Sequence, residues 1–321
     1  MAAQSTEDQA ERILEGSGLQ VSTFDSASGD VQPVAIRKTV CYIVSAVILS
    51  PKNEVLMVQE AKDDCYQEWY LPAGRMELNE SIVEGMRREV KEETGFECSP
   101  ITLLMVEEHG PRWIRFTFLA EITGGSMKTL ENSDSESLQA QWWDRISPLS
   151  LRAKDILPLI DSGVKYKEKP WFPPTLPTEL PCCAVCQRLM VTFLDSDSNL
   201  WLLLGTSDGP HLPITVSNDR CHSIMAATFR LLKECLKLPE VKIKTLGVLG
   251  LQHHGKHPGD TDGICFNMLV SVEHTDREVN SSTPPVLLSD KYQWWKVDRQ
   301  CLKDKLLERC GSNAAVPIYS I

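Results

Sequence analysis

The chain runs the same order of elements twice, on either side of a stretch dense in proline. Pro170, Pro173, Pro174, Pro177 and Pro181 crowd residues 169–181, which predicts a stiff, extended linker and hence a domain boundary. Before it, apolar runs bounded by turn residues predict strands at 40–49 and 54–59 around Pro51-Lys52-Asn53. A helix over 81–93 stopped by Gly95 comes next, then strands at 101–107, 113–122 and 139–143 and a short helix at 152–160. After the linker, strands fall at 185–194 and 200–204, a helix at 223–236, and strands at 243–251, 264–272 and 292–297. Short words correspond too: Leu71-Pro72 with Leu212-Pro213, Arg88 with Arg230, Gly110 with Gly255, Trp142-Trp143 with Trp294-Trp295. The offset grows from 141 (Leu71 to Leu212) to 152 (Trp142 to Trp294), as loop insertions produce. The chain therefore reads as an internal duplication of one α+β unit. The domains expected are a disordered tail at 1–36, a first unit at 37–168, the linker at 169–181 and a second unit at 182–321.

Length and charge narrow the function. With 321 residues there is material for two cores without staples. No apolar run approaches the ~20 residues that span a bilayer, and the acidic N-terminus has no secretion-signal pattern. The eleven cysteines are scattered, several within strand-like runs, and read as reduced thiols of a cytoplasmic protein. Cys182, Cys183, Cys186 and Cys221-His222 lack the paired knuckles of a structural zinc site. His253-His254 and His257 read as a solvated loop, and Asn280-Ser281-Ser282 as a sequon without meaning in an unsecreted chain. The net charge of −11 is unevenly placed. Residues 1–180 hold 18 basic against 29 acidic residues, and 181–321 hold 15 against 15. Without a basic stripe, nucleic-acid binding is disfavoured; an acidic half instead attracts cations.

The chemistry concentrates between Gly74 and Phe96. Ser81-Ile82-Val83-Glu84 is a capping box that starts a helix. Ile82, Met86 and Val90 then form one apolar stripe, with Glu89 and Glu93 beside it and Glu92 next to Glu89. Carboxylates at the edge of a core-facing stripe are unexpected, and Glu89 and Glu93 repel each other at i,i+4. Arg88 alone does not neutralise Glu84, Glu89, Glu92 and Glu93. A divalent cation does so better, since Mg²⁺ takes a few carboxylate oxygens and leaves room for phosphate. A glycine ahead of the helix lets backbone and phosphate approach closely.

This string resembles the Nudix box, G-x5-E-x7-R-E-U-x-E-E-x-G-U with U bulky and apolar, at Gly74, Glu80, Arg88, Glu89, Val90, Glu92, Glu93, Gly95 and Phe96. Trp69-Tyr70-Leu71-Pro72-Ala73-Gly74 resembles the W-x-L-P-G-G that commonly precedes it, with Ala73 for the first glycine. The resemblance covers about residues 37–165. It implies a Nudix fold, an α/β/α sandwich with a mixed sheet between helices, and metal-dependent hydrolysis of a nucleoside diphosphate. Over its whole length the chain is similar to MutT-like members of the family that clear oxidised purine nucleoside diphosphates such as 8-oxo-dGDP. By position, Glu89, Glu92 and Glu93 would hold Mg²⁺, or Mn²⁺ as substitute, with the Gly74 carbonyl as a further ligand. Arg88 would orient the glutamates and Glu80 support the loop or a further metal through water. Glu89 and Glu136 both stand as the general base. Trp69, Tyr70, Trp113, Phe116, Trp142 and Trp143 offer stacking partners for a purine, and Asp155 either reads a base edge or caps its helix. The rival substrate class is ADP-ribose or a nucleotide sugar, because Pro111, fifteen residues past Phe96, resembles ADP-ribose-cleaving members. A different class of function is a nucleotide-binding or scaffold module without turnover.

The second half is expected to be inert. Gly74, Glu89 and Glu93 correspond there to Thr215, Leu231 and Cys235, leaving only Glu234 at the position of Glu92.

Overall fold

A computed structural model describes residues 6–218, 222–275, 282–311 and 314–321. Residues 1–5, Cys221, Asn280 and Ser281 lie outside the described residues. The first half forms α1 (Thr6–Leu14), β1 (Cys41–Ile48), β2 (Val55–Glu60), β3 (Trp69–Tyr70), β4 (Ala73–Arg75), α2 (Ile82–Thr94), β5 (Phe96–Glu108), β6 (Trp113–Gly125), β7 (Ser137–Trp143) and α3 (Ile156–Glu168). The second forms β8 (Val185–Leu194), β9 (Leu200–Gly205), β10 (Ile214–Val216), α4 (Met225–Cys235), β11 (Val241–Gln252), β12 (Ile264–His274), β13 (Tyr292–Lys296), α5 (Gln300–Cys310) and β14 (Ile318–Ser320). The fold is α+β, with mixed sheets and helices against them.

The duplication is visible in the pairing. β1 lies between antiparallel β4 and parallel β6, and β6 pairs antiparallel with β5. β8 lies between antiparallel β10 and parallel β12, and β12 pairs antiparallel with β11. In register, Val44 faces Gly74 and Phe116, while Gln187 faces Thr215 and Phe266. Phe116 and Phe266 are thus counterparts, and they stack on each other at 6.4 Å between ring centroids. One apolar core runs through both halves across this contact. Gly110 and Gly255, the paired turn glycines, share the left-handed region at φ 69° and 70°.

α2 forms as its sequence dictates. Ser81 accepts from the Glu84 N–H while the Glu84 carboxylate accepts from the Ser81 N–H. Gly95 ends the helix in the left-handed conformation, its N–H on the Lys91 carbonyl. Ile82, Met86 and Val90 are fully buried.

Three expectations need correction. Residues 6–36 are ordered, not a mobile tail. Ala10 and Ile13 of α1 are buried in a cluster with Leu302 and Leu306. Arg299 pairs with Glu7, Asp8 and Glu11, and Lys305 pairs with Glu11 and Glu15. An acidic segment that looks solvated in isolation has its cations waiting on α5. Second, β14 pairs in parallel with β5, on the edge of the first half's sheet. It covers an edge that would otherwise expose unpaired backbone groups. Third, His253 is buried, its Nδ1 2.9 Å from the Gly263 carbonyl and its ring edge-on to Tyr42. That loop docks on the first half instead of lying in solvent: Tyr42 donates to the Asp262 carbonyl at 2.9 Å, and Lys256 pairs with Glu84.

Candidate active site

β4 brings Gly74 against the flank of α2, where a Cβ on residue 74 would stand 2.1 Å from the Glu89 carboxyl carbon. No larger residue fits there with Glu89 in place. Arg88 grips the surrounding carboxylates. Its Nε and Nη2 donate to the two oxygens of Glu80 at 2.9 and 2.8 Å, and its Nη1 to Glu89 at 2.9 Å and Glu92 at 3.0 Å. Nη2 also reaches the Arg75 carbonyl at 3.1 Å. Glu80 in turn accepts from the Glu77 N–H at 2.6 Å, so it supports the loop ahead of α2. One guanidinium therefore fixes both that loop and the carboxylate-bearing face.

Glu136 arrives from the loop before β7. Lys128, almost fully buried, donates to Asp134 at 2.6 Å, to the Ser137 hydroxyl at 2.7 Å and to the Glu92 carbonyl at 3.0 Å. The Asp134 carboxylate accepts from the Glu136 and Ser137 N–H groups. This clamp ties the loop to the end of α2, and the carboxylates of Glu89, Glu92 and Glu136 converge within 4.8 Å of one another. Burial pushes the Glu89 carboxyl above the ordinary range, with Arg88 opposing it and Glu92 and Glu136 adding to it. Three clustered carboxylates facing an open cavity suit a divalent cation, which answers the repulsion that Arg88 only partly answers.

Glu93 lies deeper, close enough to Glu89 for their charges to interact. Its Oε2 accepts from the Ala73 N–H at 2.9 Å, and burial holds its carboxyl well above its usual range. Of the expected set of Glu89, Glu92 and Glu93, the first two converge with Glu136, while Glu93 is buried beside Glu89 with one oxygen on the Ala73 N–H of β4.

These groups line a cavity of about 1100 Å³, together with Gly74, Tyr70, Trp113, Arg115, Arg152 and Asp155. Of the stacking candidates, Trp113 and Tyr70 reach it. The others are corrected. Phe116 is fully buried between Tyr42 and Phe266, Trp69 is in the core, and Trp142 packs against the core's edge. Trp143 is buried with its indole N–H on the Ser147 carbonyl at 2.8 Å. Alternation explains the exchange of Trp69 for Tyr70, since successive strand residues point to opposite faces. Lys128, Arg115 and Arg152 were not foreseen, because nothing near them in sequence signals their distant partners.

The second half's counterpart of this site is filled by the chain itself. Arg230 keeps the place of Arg88 and reaches the Val216 carbonyl and the Thr215 hydroxyl. Ser26 donates to Glu234 at 2.8 Å and accepts from Arg230 at 3.0 Å. Asp25 accepts from the Ile214 N–H at 2.8 Å, as Glu93 does from Ala73. Leu231 and Cys235 are buried apolar replacements. Of the positions of Glu89, Glu92 and Glu93, only that of Glu92 keeps a carboxylate, Glu234, and Ser26 donates to it.

The NUDIX domain family matches residues 41–158. The 8-oxo-dGDP phosphatase NUDT18 of Danio rerio is 53% identical over 322 residues, covering 98% of each chain. The protein of that name from Homo sapiens is 45% identical and covers 99% of each. Among solved structures, an ADP-ribose pyrophosphatase from Streptococcus suis aligns over 41% of this chain and 94% of its own, at 21% identity and a TM-score of 0.35.

Proposed function

The chain belongs to the Nudix hydrolase family, and from that premise we propose that it hydrolyses 8-oxopurine nucleoside diphosphates, 8-oxo-dGDP and 8-oxo-GDP among them, to the monophosphate and phosphate. Such an enzyme removes oxidised nucleotides from the pool before they damage DNA. The observation that carries the reading is the convergence of Glu89, Glu92 and Glu136 in a nucleotide-sized cavity. The full-length likeness to proteins named 8-oxo-dGDP phosphatases supplies the substrate.

Glu89, Glu92 and Glu136 would hold the divalent cation, Mg²⁺ with Mn²⁺ as substitute. Bound there, it would lower the pKa of a water and offset charge on the phosphate oxygens. The chain's own groups do the rest. Arg88 holds Glu89 and Glu92 in one geometry. The carboxylate of Glu136 has no hydrogen-bond partner among the described residues, so the oxygen not given to the cation is available to accept the proton of the attacking water; Glu89 is engaged by Arg88. The water oxygen bonds to the β-phosphorus, the bond from that phosphorus to the bridging oxygen breaks, and the bridging oxygen leaves with the monophosphate. The reading is of a cytoplasmic enzyme working on free nucleotides, without a nucleic-acid or membrane partner. No described helix is long and apolar enough to cross a membrane.

The test is product analysis in ¹⁸O-water with Mg²⁺ and four substrates: 8-oxo-dGDP, dGDP, 8-oxo-dGTP and ADP-ribose. Preferred conversion of 8-oxo-dGDP, with the label in inorganic phosphate, supports the reading. Preferred cleavage of ADP-ribose replaces the substrate, and the absence of metal-dependent turnover favours the binding-module alternative.

A further inference from the structure

Hydrolysis as derived above uses nothing of the second half, yet the second half reaches the cavity. Val316 exchanges two backbone hydrogen bonds with Val248 of β11, at 2.8 and 3.0 Å. One residue on, the Pro317 carbonyl accepts from the Val106 N–H of β5 at 3.0 Å, and β14 then runs along β5 as far as Glu108. β5 and β11 are counterparts in the duplication, each the outer partner of an antiparallel pair. One short segment is thus stitched to the same strand of both sheets. Just past β14, Ile321 donates its N–H to the Glu108 carbonyl at 3.0 Å and lines the cavity. Among the described residues, it is the one from the second half that does so.

A buried carboxylate faces the end of β14. Glu108 is fully buried, and no cation pairs with it among the described residues. Three donors meet its charge instead. The Gly110 N–H reaches one oxygen at 2.5 Å, and the hydroxyls of Ser223 and Ser320 both donate to the other. These hydroxyls lie 2.6 Å apart. Ser223 is fixed at the start of α4, where its oxygen accepts from the Met225 N–H at 3.1 Å. Beside them, His109 Nδ1 lies 2.8 Å from the main-chain oxygen of Ile321. Two of the three donors to Glu108 therefore come from the second half. A carboxylate taken out of water is costly unless hydrogen bonds replace its hydration, so Glu108 is satisfied where it stands only with the second half docked.

Glu108 opens a turn that shapes the cavity. The His109 N–H donates to the Trp113 carbonyl at 2.9 Å, closing the turn, and Trp113 lines the cavity. We propose that the second half positions the nucleotide for the first: Ser223, Ser320 and Ile321 set the turn at 108–113, and with it the Trp113 side of the cavity. They are positioning residues, acting through Glu108 and the turn. The inference rests on the hydrolase reading and gives the inert half a part in it. The carboxylate end of the cavity is held separately, because the bonds of Arg88 and Lys128 that fix it all lie within the first half.

The experiment measures KM and kcat for 8-oxo-dGDP in the whole chain, as wild type, Ser320→Ala, Ser320→Thr and Ser223→Ala with Ser320→Ala. The double variant is expected to raise KM about tenfold, the size of a lost hydrogen bond to a charged group, with kcat within about twofold. That split marks lost binding with the chemistry intact. Ser320→Ala is expected to do the same more weakly, and Ser320→Thr, which keeps the hydroxyl on a strand that favours it, to hold the wild-type KM. Ile13→Ala serves as the control, since it loosens the packing of α1 on α5 away from this contact; its KM is expected to be unchanged. A double variant with wild-type KM overturns the inference and leaves the hydrolase reading standing. So does an equal rise in Ile13→Ala or in Ser320→Thr, because lost stability or a disturbed strand then explains it. A wild-type chain without turnover of 8-oxo-dGDP overturns both readings. If the double variant does not fold, judged by its thermal unfolding, Ser320→Ala decides: a raised KM supports the inference, an unchanged one overturns it.

Discussion

Replacing Lys128 with methionine loosens the loop that carries Glu136 while leaving all three converging carboxylates in the chain. Methionine fills a similar space, so the perturbation is the loss of the ammonium and its three bonds. The Asp134 carboxylate is half exposed and regains water, which limits that loss to about 0–1 kcal/mol. The Ser137 hydroxyl keeps its bond to the Glu93 carbonyl at 3.3 Å. The Glu92 carbonyl, at the end of α2, loses its partner in a part-buried setting, at a cost of about 1–3 kcal/mol. Together the cost is about 1–4 kcal/mol, centred near 2.5, read from urea unfolding. If only half of it appears as disorder at Glu136, kcat falls about tenfold, since 1.36 kcal/mol is a factor of ten in rate. KM for the nucleotide moves little, because Lys128 does not line the cavity. A variant that loses the stability but keeps kcat within twofold refutes the reasoning, because turnover then does not depend on where this loop holds Glu136.

Three further outcomes follow from the packing and charge. Gly74→Ala drives its methyl into the Glu89 carboxylate; kcat/KM is expected to fall at least about 100-fold, as displacement of a catalytic group does, while far-UV circular dichroism stays native. Ile13→Ala is expected to destabilise the chain by about 2–5 kcal/mol in chemical unfolding, the cost of truncating a buried isoleucine; a mobile N-terminus would give no change. His211 bonds to Asp25 at 3.1 Å, which raises its pKa against the opposing effect of burial. A histidine with a raised folded pKa contributes stability fully below about pH 6.5 and loses it as pH climbs through the folded value. The thermal deficit of His211→Gln is therefore expected to be larger at pH 6 than at pH 9, and an equal deficit at both contradicts the pairing.

What was legible in the sequence was what is local. α2, its cap, its apolar stripe and its glutamates lie within 23 residues, from Gly74 to Phe96, and near neighbours fix the helix and its cap. The duplication was legible because element order survives where residues change. The failures are contacts over long sequence distances. α1 looked disordered because Arg299 and Lys305, which neutralise its acids, come almost 300 residues later. β14 is three residues long and exists as a strand only because β5 offers an edge. α5 carries Leu302 and Leu306 one turn apart, a signal present in the sequence but weak beside the strands before it. In the site, Glu136 was legible only as an alternative base, since its convergence with Glu89 and Glu92 depends on a lysine clamp without a motif. The aromatic candidates divided by strand alternation, which the sequence shows only once the register is known.

The central claim is that Glu89, Glu92 and Glu136 act together on one cation and one nucleotide. Calorimetric titration of Mg²⁺ into the wild-type chain, Glu92→Gln, Glu136→Gln and the double variant, with kcat/KM for 8-oxo-dGDP on the same samples, tests it most directly. The account predicts that each single variant loses Mg²⁺ affinity and turnover, and that the double variant loses far less than the product of the two. Independent, multiplicative losses, or a Glu136→Gln variant with wild-type affinity and turnover, would contradict it.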